Sequence, residues 1–230
     1  MNLHQLWLIT RYSFTEIWRN KTFRVAFMVL IPLLIAYQVS FQSDMFNIPV
    51  EYTLVLSSFI PTQNAYMFNL LLVFPLATMG FWVHKQKKYN TLEALLVHPQ
   101  GNDTYSTGFI LGIIIAFMIM GSISLALAGL INLFASPTSF QPLIYLFYLV
   151  TLFLPTIVFV VGITSFLAAR CFKNGTVTTF FMLVYLSVDI LFLSTLYHGL
   201  FDPLGILLPY TFSGFTGMAD LPGFLLHRTT

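Results

Sequence analysis

Charge is what this chain lacks most. Only 8% of its 230 residues are Asp, Glu, Lys or Arg, against about a quarter in soluble domains, so a solvated globular surface is excluded. Cysteine is nearly absent. Cys171 stands alone, which rules out an internal disulfide and a cysteine-built metal cluster. The histidines His4, His84, His98, His198 and His227 are scattered, without the H-E-x-x-H or acid-paired spacing that a metal or protease centre needs. No G-x-x-x-x-G-K-[ST] string occurs, so the chain has no phosphate-cradling loop and is not itself an ATPase of that kind. Basic and aromatic residues do not interleave, which argues against nucleic acid as a partner. The amino-terminal stretch carries Trp7, Glu16, Trp18 and the arginines Arg11, Arg19 and Arg24 in place of an unbroken apolar core with a small-residue cleavage site. The first membrane helix is therefore expected to serve as the targeting signal and to stay.

What the chain has in excess is apolar length. Hydrophobic residues make up 57% of it, with a mean hydropathy of +0.83. Several runs are long enough to cross about 30 Å of hydrocarbon, and continuous apolar runs do so as helices. The short alternating segments of a β-barrel are missing. The fold class is all-α, a polytopic membrane protein.

In chain order, residues 2–20 place Leu3, Leu6, Trp7, Phe14, Ile17 and Trp18 at helical spacing, with His4, Arg11, Glu16 and Arg19 mostly off that stripe. This reads as a helix in the membrane interface, either an anchor or a moving elbow. Spans are predicted over 22–39, 65–83, 109–133, 143–167 and 176–196, with Pro32, Pro75 and Pro155 inside them as potential kinks. A polar connection with Asp44 and Glu51 occupies 40–62. Residues 198–230 are apolar but broken by Gly and Pro, and are expected to form short helices dipping into the outer leaflet as a re-entrant segment. The last few residues look like the lead-in to a sixth span, as in a truncated chain. Arg11, Arg19, Lys21, Arg24, Lys85, Lys87, Lys88, Arg170 and Lys173 all fall on one side if the spans alternate, with Arg228 the exception. The positive-inside rule then places the amino terminus and residues 85–105 in the cytoplasm.

Two features carry chemistry. Asp189 is the one acid near the middle of a span. Such a residue is either a substrate-cation or proton site, or a protonated carboxyl bonded to a neighbouring helix. Residues 85–105 form the only long polar segment between two spans, and within it Thr91 to His98 read as a short amphipathic helix. Thr91 or Asn90 caps it, Glu93 suits the positive end of the dipole, Leu92, Leu95 and Leu96 make one apolar face, and Pro99 ends it. This knob either docks on a partner or packs on the chain's own interfacial helix. Along the third span Gly112 with Ala116, Ser122 with Ala126, and Ser124 with Ala128 form small-x-x-x-small pairs that permit close helix approach.

The string Lys-x-Lys-Lys-Tyr-Asn-Thr-Leu-Glu-x-Leu-Leu-x-x-Pro, from Lys85 to Pro99, resembles the coupling-helix loop of permease subunits of ATP-binding-cassette transporters, in the type-2 exporter class. The order of interfacial helix, first span, second span, basic loop and third span is similar too. The family usually has Gly where Asn90 stands, often a Lys or Arg near the position of Phe109, and a sixth span. The turn at Asp202-Pro203-Leu204-Gly205 is loosely similar to its outer-leaflet re-entrant helices. The resemblance implies that Thr91, Leu92, Glu93, Leu95, Leu96 and Val97 contact a cytoplasmic ATPase subunit, with Lys87 and Lys88 as the basic entry. It further implies a second permease subunit, identical or different, in a bacterial cytoplasmic (inner) membrane, and export as the direction of transport. No cofactor is expected on this chain, since ATP and Mg would sit on the partner ATPase. The alternative is an ion-coupled secondary transporter using Asp189. An intramembrane enzyme is disfavoured, because a nucleophile and base or a set of metal ligands would have to converge there and only Asp189 is present.

Overall fold

The computed structural model describes residues 3–44, 59–71, 102–135 and 140–167, with residues 177, 180, 181, 184, 212, 213, 217 and 218. In chain order its elements are α1 (Leu3–Arg19), α2 (Lys21–Asp44), α3 (Phe59–Leu71), α4 (Asn102–Ala135), α5 (Pro142–Tyr148), a π-helical turn (Leu149–Phe153) and α6 (Leu154–Phe166), then β1 (Phe212–Ser213) and β2 (Gly217–Met218). The described residues are almost entirely helical, as the composition requires. Among the described residues, three stretches are long and apolar enough to cross a membrane: Phe23–Gln42, Thr104–Phe134 and Pro142–Phe166. Large apolar side chains stand exposed on all three, among them Met28, Leu130 and Leu143. Water would penalise such a surface and lipid would not.

The helices run further than hydropathy places their ends. The polar connection expected over 40–62 is helical at both margins, because α2 continues through Asp44 and α3 begins at Phe59. The third span expected over 109–133 is a 34-residue helix from Asn102. At 1.5 Å per residue it is about 50 Å long, more than the hydrocarbon thickness. Its polar first turns, Asn102-Asp103-Thr104, suit a helix amino terminus and shorten the loop expected over 85–105. Within 198–230, where short helices are expected, the described residues are two short strands, Phe212–Ser213 and Gly217–Met218. There β1 and β2 pair antiparallel, Phe212 opposite Met218 and Ser213 opposite Gly217. Of the span expected over 176–196, Val177, Phe180, Phe181 and Val184 are described as helical and exposed.

Prolines act differently by context. Pro32 lies within α2 with no break in the helix. Pro155 is the second residue after the π turn, and the N–H of the intervening Leu154 bonds the Leu149 carbonyl. Proline offers no N–H to the ladder, so a wider turn just ahead of it re-registers the bonds at small cost.

The chain packs as two compact units, to which α2, α4 and α6 with its preceding turn each contribute. The first comprises residues 1–27, 72–119 and 157–186. Here α1 lies on the first turns of α4. A Cβ added at Gly112 would come within 2.7 Å of Ser13 Cβ and of the Thr10 carbonyl, and one at Gly108 within 2.9 Å of Ile9 Cγ2. The buried side of α1 is accordingly Ile9, Thr10, Ser13 and Ile17, while Leu3 and Trp7 of the expected apolar stripe face outward. Trp18 stacks on Phe14 and meets Phe23 and Phe27 of α2 at centroid distances of 6.0 and 5.6 Å. Phe23 in turn meets Phe117 of α4 edge-on. The elbow between α1 and α2 is a single residue, Asn20, whose N–H bonds the Glu16 and Ile17 carbonyls and whose own carbonyl accepts from Arg24.

The second unit comprises residues 28–71, 120–156 and 187–230. Its core is Leu30, Leu34, Ile60, Phe68, Met120, Ile144, Tyr148 and Phe153, all essentially without solvent access. In it α3 packs on α5 and on the π turn, where the Phe68 and Phe153 rings lie 5.0 Å apart.

Candidate functional site: an uncharged polar cluster in the second unit

Among this apolar packing sits a set of buried amides and hydroxyls. Gln38 and Gln42 lie one turn apart on α2, Asn64 on α3, Ser124 and Asn132 on α4, and each is at most 1% exposed. Folding places them here because each lies on the same face as apolar core neighbours. Leu34 and Gln38 are four residues apart on α2, and Asn64 and Phe68 four apart on α3, so the stripe that buries one buries the other.

The bonds run between helices. Gln42 Nε2 donates to the Ala128 carbonyl of α4 and to Gln38 Oε1, each at 3.1 Å. Ser124 Oγ donates to Asn64 Oδ1 at 2.9 Å. Asn132 Nδ2 donates to Tyr145 Oη of α5 at 3.0 Å, and Tyr37 Oη of α2 to Gln63 Oε1 of α3 at 3.1 Å. Because Ser124, Ala128 and Asn132 follow one another at four-residue spacing, α4 is the spine, with successive partners about 6 Å apart along it.

The pairing is incomplete. Gln38 Nε2, Gln42 Oε1 and Asn64 Nδ2 are buried without a hydrogen-bond partner. The Ala128 carbonyl fixes the glutamine orientations. Gln42 must turn its NH₂ toward that acceptor, Gln38 must then turn its oxygen toward the same NH₂, and the free ends are one donor and one acceptor. Each unpaired buried end costs about 1–3 kcal/mol, and hydrocarbon offers no relief. The described side chains of the cluster therefore hold unmet hydrogen-bonding capacity and are themselves uncharged, with Asp44 two residues beyond Gln42 on α2.

Of the residues singled out from sequence, Ser124 lies in the cluster. Thr91, Leu92, Glu93, Leu95, Leu96 and Val97, like Asp189, fall outside the described residues. Of the small-residue pairs, Gly112 receives α1, and Ser124 with Ala128 receives α3 and α2. Ala126 of the Ser122 pair is exposed. The sequence reading passed over Gly108, which with Gly112 completes a G-x-x-x-G, and over Gln38, Gln42, Asn64 and Asn132. The signal available for those four was an amide inside or at the margin of an apolar run, which needs a partner from another helix. Among the described residues, no three His, Cys, Asp or Glu side chains group to hold a metal.

Neither protein-family models nor curated proteins give a match to this chain.

Proposed function

We propose that the chain is the permease half of an ATP-driven exporter of the ATP-binding-cassette type. In this reading five spans alternate across the membrane with the amino terminus in the cytoplasm. Two permease subunits enclose the pathway, and the helix over Thr91 to His98 docks on a separate cytoplasmic ATPase. The observation that carries it is the string Lys85 to Pro99, placed shortly before α4 in the chain.

The first unit supports the reading mechanically. A push delivered to Leu92, Leu95 and Leu96 enters α4 at its first turns, where α1 is seated on Gly108 and Gly112 at backbone contact distance. Such close seating moves as one body, because packed interiors resist compression. ATP closure on the partner would thereby move α4 together with α1 and, through Asn20, the start of α2. The interfacial helix thus has a role as part of a lever in addition to anchoring.

Affinity purification from membranes in mild detergent tests this, with the Leu95→Asp, Leu96→Asp double substitution as control. The expected result is an ATPase carrying Walker motifs that accompanies the wild type and is lost from the variant. If neither form brings an ATPase while both remain inserted and stable, the reading fails, and gradient-driven transport through Asp189 takes its place.

A further inference from the structure

We propose that the elbow between α1 and α2 binds an acidic glycerophospholipid, with Arg19, Lys21 and Arg24 around its phosphate and the exposed face of α2 along its acyl chains. This goes beyond the ATP-driven reading and does not rest on it. It requires only that Phe23–Gln42 lies in a bilayer.

Three cationic side chains surround a one-residue joint. Arg19 ends α1, Lys21 opens α2, and Arg24 follows about one turn later. The joint is held by backbone bonds, because the Asn20 N–H reaches the Glu16 and Ile17 carbonyls while the Asn20 carbonyl accepts from the Arg24 N–H. Lys21 and Arg24, three apart on one helix, have Cβ atoms about 5–6 Å from each other. All three cations are exposed. One acid, Glu16, stands with them in residues 3–43, and Asp44 ends α2 about 30 Å beyond Arg24.

The face of α2 that carries Lys21 and Arg24 continues as apolar surface. Val25, Met28, Val29 and Leu33 follow at spacings of three and four residues, and are 52%, 69%, 53% and 46% exposed. Phe23 turns the other way, onto Trp18 and Phe117. The apolar stretch begins at Phe23, so the cations stand at the membrane boundary, where long basic side chains extend their charged ends to headgroup level. A phospholipid has this layout, an anion at one end and hydrocarbon beneath it. A free anion would meet the cations and leave the apolar stripe bare, and a zwitterionic headgroup would bring its ammonium against three positive charges. An acidic headgroup is attracted by every one of them.

The test captures the lipid directly. The photoreactive residue p-benzoylphenylalanine replaces Val25 in one full-length protein and Leu130, exposed on α4, in another. Both are placed in nanodiscs of nine parts phosphatidylcholine to one part phosphatidylglycerol, illuminated, and their lipid adducts read by mass spectrometry. Adducts at Val25 should be enriched in phosphatidylglycerol by at least about tenfold over the bilayer, while those at Leu130 should match the bilayer. Lys21→Gln and Arg24→Gln should each cut the enrichment about fivefold. Arg24→Lys should keep it, as should Arg11→Gln, an exposed cation about 12 Å before Arg19 along α1. The proposal is overturned if Val25 and Leu130 give the same adduct ratio, a comparison that needs no charge variant to fold. It is equally overturned if the enrichment survives the combined Arg19→Gln, Lys21→Gln, Arg24→Gln substitution in monodisperse protein, or if Val25 captures a second copy of the chain in place of lipid. No ATPase is present in the nanodiscs, so the outcome is independent of the ATP-driven reading.

Discussion

Ser124 donates its hydroxyl to Asn64 Oδ1 over 2.9 Å, joining α4 to α3 where neither side chain meets solvent. The bond is also asymmetric in its consequences, since it satisfies one end of the Asn64 amide and leaves Nδ2 unpaired. Removing one partner is therefore not equivalent to removing the other.

Ser124→Ala leaves the whole Asn64 amide unpaired, and should cost about 0.6–1.7 kcal/mol, the span measured for hydrogen bonds between membrane helices. Asn64→Leu removes the amide together with its unmet end, and should cost less or stabilise. On the Asn64→Leu background, Ser124→Ala should add little. Reversible unfolding in mixed micelles with a denaturing detergent gives the cycle, and additive single effects would show that the bond is not formed.

Two glycines in helices should respond with opposite sign. Gly112→Ala puts a methyl 2.7 Å from Ser13 Cβ and from the Thr10 carbonyl. A backbone carbonyl cannot rotate away, so α1 must shift, at about 1–3 kcal/mol for an overpacked contact. Gly162→Ala meets no atom within 4 Å and should be neutral or stabilising by up to about 1 kcal/mol through helix propensity. Paired melting curves decide it. Equal melting temperatures would mean that α1 does not sit on Gly112.

How much of this could be read from the sequence depends on which force sets each feature. The apolar runs announce α2, α4 and the α5–α6 segment, because lipid demands them. Their ends are less legible: Gln38 and Gln42 lower the local hydropathy and suggest that the helix stops at 39, yet both are buried inward-facing residues that let α2 continue to Asp44. Hydropathy treats an amide as exposed, whereas the fold supplies it with Ala128 and Gln38 as partners. Pairwise small-residue spacing found the seats at Gly112 and Ser124, but could not say which helix each receives. The strands Phe212–Ser213 and Gly217–Met218 escaped because two-residue strands carry no periodicity to detect.

Trp18 joins α1 to α2 through Phe14, Phe23 and Phe27. Trp18→Ala removes three ring pairs of about 0.5–1.5 kcal/mol each and should loosen the elbow at Asn20, whereas Trp18→Phe should keep most of the stability. Trp7→Ala is the comparison, since Trp7 is 61% exposed. It should leave unfolding unchanged. A Trp7→Ala loss equal to that of Trp18→Ala would contradict the packing.

The last prediction concerns Phe153, in the π turn. Its ring lies where a Gly121 side chain would go, with Cδ1 2.7 Å from the added Cβ. A flexible side chain could yield, but this one is fully buried and its other neighbour is the Phe68 ring, 5.0 Å away. Gly121→Ala should therefore cost about 1–3 kcal/mol through overpacking. Gly129→Ala should cost less, because its nearest atom is 3.1 Å away on Phe140, whose ring is 39% exposed and free to swing outward. Shortening the obstructing ring should rescue the first substitution only. Phe153→Leu alone opens a cavity and loses stability, but Gly121→Ala added to it should cost little or even recover part of the loss by filling that space. Unfolding of the four proteins in one detergent series measures the coupling. A Gly121→Ala penalty unchanged by Phe153→Leu would mean that the ring does not occupy the space beside Gly121, and that the π turn presents some other side chain to α4.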